Sequence, residues 1–341
     1  MMNYDIKRSV LAAALALILA PMSTSYANDS AGYVGTGGVE YIKNDNIAMI
    51  SEDLYISEKV IKVDYQFKNL SNKDITETIL FPLPPVAAAI DSAYADTKGL
   101  IESFKVSVNG KAVTPTVHVR TFMYPVKVVH GYEQIDYDAT PIDVTKAFKE
   151  CGLTQAEMMV PWANPEEIYA INKRLSNCNH PALTPLIGAP SDDDYVHWES
   201  QVIYSWQQTF KAGKTTHVHH SYAPLVGGTV HMSSSSGEYE EFCVDDALQK
   251  ALDDDNPHPY GALGYILTTG ANWAKPIKHF SLTIERDSDK YVSLCWKNQG
   301  ELKKIGANKF QVKTKNFVPK HDLHIAFIKN KSLKTKNPLK I

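Results

Sequence analysis

Thr216-His217-Val218-His219-His220 is the segment whose residue types come nearest to chemistry. On a β-strand, His217 and His219 project to the same face, close enough to share a metal ion. His231, beyond a Gly-Gly turn, is a possible third ligand. A metal site needs three or four ligands and supporting hydrogen bonds to orient them, and local spacing supplies no acid here. The competing expectation is that these are solvent-face strand residues, with His220 packed on the apolar side. No metal or other cofactor is assigned to them.

The other reactive-looking patterns are weaker. Asp192-Asp193-Asp194 and Asp253-Asp254-Asp255 carry carboxylates of the kind that collect Ca²⁺, but neither has the EF-hand Gly and distal Glu. Solvated loops are the expectation. Glu52 and Asp53 are neighbours on a strand pattern, so they face opposite sides and do not form a paired-carboxylate site without a bulge. Gly35-Thr36-Gly37-Gly38 lacks the Lys-Ser/Thr and the helix of a phosphate loop, and Ser233 to Ser236 lacks the flanking glycines of a nucleophile elbow. Trp206 and Trp273 are expected in a core rather than on a ligand-binding face. No catalytic residue is assigned.

The elements that position these residues begin with an export signal. Lys7 and Arg8 precede the apolar run Ser9–Ala20, and Ser25-Tyr26-Ala27 offers small residues for cleavage, placed between Ala27 and Asn28. The run is shorter than the roughly 20 residues of a membrane span, and Pro21 ends it. A soluble mature protein, periplasmic or secreted, is expected. In that compartment Cys151, Cys178, Cys243 and Cys295 read as two disulfides, with three possible connectivities. The net charge of −3 gives no reason to expect a nucleic-acid partner.

Strand patterns dominate. Ile61, Val63, Tyr65 and Phe67 alternate with Lys62, Asp64, Gln66 and Lys68, as in a strand with one wet face. Ile79-Leu80-Phe81 runs into Pro82-Leu83-Pro84-Pro85, a strand end or edge. Phe104, Val106 and Val108 lead to Asn109-Gly110, a type I′ hairpin signal that places Val117 and Val119 on the return strand. Val202, Tyr204, Trp206 and Phe210 form one face before Ala212-Gly213-Lys214, and Val218, His220 and Tyr222 form one face after it. Pro224 and Gly227-Gly228 are expected to end that strand. Glu240–Leu252 holds one short helix, with Asp245 as its cap. Phe280, Leu282 and Ile284, then Leu323, Ile325 and Phe327, are further strand faces.

Between them, Thr154-Gln155-Ala156-Glu157 is a capping box, and Asn164-Pro165-Glu166-Glu167 starts a helix bearing Ile168, Ile171 and Leu175. A Cys151–Cys178 bond would close this small helical insertion, whose own core is slight. The expected organisation is a signal peptide (1–27), an N-terminal β-rich domain (28–140), a helical insertion (141–190), a C-terminal β-rich domain (191–328) and a basic disordered tail (329–341). The fold class is mainly β, with sandwich-like antiparallel sheets.

Several stretches resemble the DUF4424 family of exported bacterial proteins. They are Asn28-Asp29-Ser30 with Gly37-Gly38; Ser51–Ser57 with the following strand, a block that closes at Phe81-Pro82-Leu83-Pro84; and Tyr204–Phe210 with Tyr222-Ala223-Pro224 and Gly227. Tyr265–Trp273 with Pro276-Ile277, and Asn316–Pro319 with Asp322-Leu323, complete the set. The resemblance implies export and a β-rich class, and it carries no activity. It favours a Cys243–Cys295 bond, because those cysteines fall where the family tends to place them. The Phe-Pro-Leu-Pro strand end also resembles, in fold alone, the interaction-serving sandwich domains of the inter-α-inhibitor type. The leading expectation is a binding module for an unknown protein, peptide or glycan, with no membrane span. A metal-assisted hydrolase centred on His217 and His219, or a structural envelope component, are the alternatives.

Overall fold

The computed structural model describes residues 30–35, 38–88, 97–159, 165–187, 196–234, 237–252, 258–296 and 300–330. The expected signal sequence with its cleavage site at Ala27 and Asn28, both triple-Asp runs and the chain beyond residue 330 lie outside them.

Mostly β structure results, in several sheets. In spatial order, the eight-stranded sheet runs Lys303–Lys304, Lys309–Phe317, Ile277–Glu285, Ile47–Ile56, Ile61–Asn69, Thr215–Tyr222, Lys105–Val108 and Lys111–Val113. The seven-stranded sheet runs Ile142–Asp143, Thr116–Met123, Glu199–Phe210, Ile75–Pro82, Ser30–Gly35 and Gly38–Ile42, with Val86–Ala87 also on Glu199–Phe210. A four-stranded sheet holds Gly227–Thr229, Tyr260–Tyr265, Leu323–Lys329 and Lys290–Leu294. Among the described strands every pairing is antiparallel except Ile277–Glu285 on Ile47–Ile56.

Period-two alternation decides which faces meet. Ile61, Val63, Tyr65 and Phe67 are buried while Lys62, Asp64, Gln66 and Lys68 are exposed. The buried set packs against Ile79, Phe81, Val202, Tyr204, Trp206 and Phe210 of the seven-stranded sheet in one cluster. Leu263, Tyr265, Ile325 and Phe327 of the four-stranded sheet join the same cluster. Strands from both β-rich stretches of the sequence therefore share sheets and a core. Burying each large aliphatic or aromatic side chain stabilises by about 1.5–3 kcal/mol.

The helices carry a second cluster. Phe148, Met158, Ile171, Leu175 and Leu183 pack on Val119, Met123 and Trp198. Val119 lies opposite Val202 in register, and Met159 touches both clusters, so this core extends the sandwich along one sheet face. Thr154 and Glu157 form the capping box reciprocally: Thr154 N donates to Glu157 Oε2 (2.7 Å), and Glu157 N to Thr154 Oγ1 (3.3 Å). Cys151 and Cys178 are bonded, with Cα atoms 5.8 Å apart, as are Cys243 and Cys295 at 5.0 Å.

Three local readings need correction. Asn109 and Gly110 take positive φ (49° and 77°) at a hairpin, but the return strand is Lys111–Val113. Val117 and Val119 belong to Thr116–Met123 in the other sheet, because Pro115 interrupts the ladder and lets the chain cross over. Gly227-Gly228 does not merely end a strand; with Thr229 it forms an edge strand on Tyr260–Ala262. The absence of side chains permits that approach, since a Cβ on Gly228 would stand 2.0 Å from the Tyr260 carbonyl oxygen. The segment Glu240–Leu252 spans two helices, Glu238–Glu241 and Asp246–Leu252. Asp245 caps the second, accepting from Leu248 N at 2.8 Å.

Candidate functional site

The outward face of the eight-stranded sheet brings together His217, His219 and Asp53 from among the polar residues that the sequence singled out. A bulge after Met49 shifts the register of Ile47–Ile56, so that Met49 pairs with Phe67 but Ser51 with Gln66. Beyond that bulge Ser51 and Asp53 point outward and Glu52 inward. Asp53 lies directly opposite Asp64, Asp64 opposite His219, and His219 opposite Ser107. His219 Nδ1 is 2.8 Å from Asp64 Oδ1. His217 is on the same face as His219, beside Gln66. These residues, with Ser281, Lys313 and Lys315 from the other side, line an open concavity of ≈ 760 Å³.

As a metal centre this set is short of donors. Among the described residues no group of three His, Cys, Asp or Glu side chains is placed to hold an ion. His231 does not join; its Nδ1 instead accepts the backbone N–H of His258 at 3.3 Å.

The inward residues have a different role. Glu52 is 1 % exposed, in register with Tyr65 and Phe280. His220 is fully buried, with the rings of Phe81, Phe104, Tyr65 and Trp206 at centroid distances of 4.8–5.5 Å. Burial, with a smaller contribution from His219, pushes its pKa down to about 3, so the imidazole is neutral at ordinary pH. Trp206 and Trp273 are core residues, 6 % and 2 % exposed.

A second concavity, of ≈ 640 Å³, lies where the four-stranded sheet meets the ends of the other two. Its walls are largely apolar, with Pro84, Tyr222, Leu225, Phe242, Ala262 and Tyr265 among them. Polar groups stand at its rim. His324 Nδ1 is 3.3 Å from Glu241 Oε1. Asp322 Oδ1 accepts from Leu267 N, Thr268 N and Thr268 Oγ1 at 2.8–3.0 Å, which fixes the chain beside the opening. Tyr260 donates its hydroxyl to Glu238 Oε1 at 2.5 Å; burial first, then that carboxylate, raises the Tyr260 pKa. The Cys243–Cys295 bond and the Ser293 Oγ to Phe242 O hydrogen bond (2.9 Å) anchor the wall bearing Glu241 and Phe242. No single segment of sequence signals this cleft, because it is assembled from seven.

Sequence reasoning also missed a serine–histidine contact. His118 Nε2 is 2.7 Å from Ser205 Oγ. Burial chiefly, and Lys149 secondarily, lower the His118 pKa, as suits a base. Yet Ser205 is only 6 % exposed, and among the described residues no carboxylate bonds the imidazole. A nucleophile needs an orienting partner for its base and access for a substrate, so this pair is read as a cross-strand tie.

The model of the domain of unknown function DUF4424 matches residues 27–326. No curated protein matches the chain. Among solved structures, a Legionella pneumophila protein provisionally assigned to nutrient binding is similar at a TM-score of 0.42 and 16 % identity, over 89 % of this chain and 70 % of its own. A two-domain M1 zinc metallopeptidase bound to L-tryptophan is similar at a TM-score of 0.29 and 8 % identity, over 84 % of this chain and 44 % of its own. At those scores neither likeness bears on function.

Proposed function

The chain belongs to the DUF4424 family, and from that premise we propose that it is an exported binding module whose ligand enters the apolar cleft between the four-stranded sheet and the sandwich. One observation carries this reading. Pro84, Tyr222 with Pro224 and Gly227, Tyr265 with Ile266, and Asp322 with Leu323 come from four separate blocks of the family resemblance, and all line this cleft. An apolar lining with a few polar groups at the rim suits the apolar part of a peptide or small molecule better than a glycan. The paired cysteines fit an oxidising compartment.

The hydrolase reading draws less support. The donors around His217 and His219 do not reach three among the described residues, so no catalytic step is derived from them.

The test uses the full chain and an apolar fluorescent probe, anilinonaphthalene sulfonate. Folded protein should enhance its emission, and Ala262→Trp, which fills the cleft, should abolish the enhancement without changing the far-ultraviolet circular dichroism. No enhancement by the native chain, or an unchanged one in a folded Ala262→Trp variant, sinks the proposal.

A further inference from the structure

We propose that the outward face of the eight-stranded sheet is a second, separate binding site, for a zwitterion whose opposite charges stand roughly 10 Å apart, as do the termini of an extended tripeptide. The register sets that spacing. Lys313, Ser281, Asp53 and Asp64 follow one another across four adjacent strands, each directly opposite the next. Adjacent strands lie about 4.8 Å apart, so Lys313 and Asp53 leave the sheet roughly 10 Å apart, with Asp64 one strand further. Lys315 stands beside Lys313 on the same face, two residues along.

Asp64 is engaged by His219 at 2.8 Å, and the other three charges are uncommitted. Lys309, on the same strand face, pairs with Glu285 at 3.1 Å, but Lys313, Lys315 and Asp53 make no ion pair among the described residues. All three line one concavity, with cations on one side and carboxylates on the other.

Charge complementarity selects the occupant. A polyanion attracted to the lysines would meet Asp53 and Asp64, and a polycation would meet the reverse conflict. A neutral sugar would leave both sets of charge unanswered. A zwitterion lying across the strands places its carboxylate at Lys313 and Lys315 and its ammonium at Asp53 and Asp64. Ser281 stands between Lys313 and Asp53 in this row, on the strand that separates them. An extended chain advances at most about 3.3–3.6 Å per residue, so a single amino acid is too short and three residues reach.

Isothermal titration calorimetry of the full chain with tri-alanine tests this. The expected result is binding that weakens at least tenfold when the amine is acetylated, and likewise when the carboxylate is amidated. Alanine alone should bind at least tenfold more weakly. In a folded Asp53→Asn/Asp64→Asn variant, acetylation should lose its effect while amidation keeps it; Lys313→Gln/Lys315→Gln should show the reverse. Absence of heat with millimolar tri-alanine overturns the proposal. So does equal binding of capped and free peptides, or unchanged discrimination in both folded double variants. The Ala262→Trp substitution should leave tri-alanine binding intact, which separates this site from the apolar cleft.

Discussion

The ring of His220 stands edge-on to that of Phe81, with centroids 4.8 Å apart and planes at 82°. An imidazole so enclosed is tolerated as the neutral form, and its charged form is excluded from the folded state. Unfolded, the same side chain titrates near its ordinary value of about 6.5; folded, it titrates at about 3. Between those values the unfolded chain binds the extra proton, so stability is held above pH 6.5 and falls as pH drops towards 3. At pH 5 the loss from this one residue is about 2 kcal/mol.

The His220→Phe variant should therefore gain on the parent as pH falls. Urea unfolding at pH 7.5 and pH 5 measures the difference in stability at each pH. A difference that stays constant between the two would show that His220 does not carry this acid sensitivity.

Alternation made most strands legible. Ile61–Asn69 buries every second residue, as does Ile277–Glu285 from Phe280 onward, and a period of two is a property of the local chain. Their pairing was not legible: Leu282 lies opposite Leu54 in a parallel ladder, and nothing local encodes a contact across that much chain. The bulge left a trace, since the buried set shifts from Ile47 and Met49 to Leu54 and Ile56, a change of parity. The histidine strand could be read as far as which residues share a face. The apolar cleft could not be read, because Pro84, Leu225, Phe242, Tyr265 and Leu323 converge only after three sheets have packed.

Gly228 and Gly261 face each other across the edge of the four-stranded sheet, and their substitution by Ala should differ in cost. A Cβ on Gly228 meets a backbone oxygen, Tyr260 O, at 2.0 Å, which cannot yield without detaching the strand Gly227–Thr229. A Cβ on Gly261 meets Val226 Cγ1 at 2.7 Å and Glu58 Oε1 at 2.9 Å, both side-chain atoms, the second held by Lys290 Nζ at 2.6 Å. Gly261→Ala should cost about 1–3 kcal/mol, the usual range for overpacking, and Gly228→Ala more. Thermal melting of the two variants side by side checks the order, and equal melting temperatures would refute it.

The two disulfides should separate by what they hold. Their sequence separations of 27 and 52 residues place each at about 3–4 kcal/mol in the loop-entropy account. Cys151–Cys178 ties helices over the second core, while Cys243–Cys295 anchors a wall of the apolar cleft. Replacing either pair by Ala should lower the melting temperature. Only loss of Cys243–Cys295 should also weaken the fluorescent probe, as titrations below the melting transition would show. Equal loss of probe binding in both variants would mean that the cleft depends on global stability alone.

Asp53 and Asp64 carry like charge at directly opposed positions, which disfavours the ladder between their strands. His219 moderates this through its contact with Asp64. Asp53→Asn should therefore raise the melting temperature slightly at low salt, and the gain should shrink as salt screens the pair. His219→Ala should lower the melting temperature most in the parent, where both carboxylates remain, and less where Asp53 is already Asn. The four chains of this double-mutant cycle, melted at low and high salt, measure that coupling. Additive effects at low salt would mean that His219 does not moderate the repulsion between the two carboxylates.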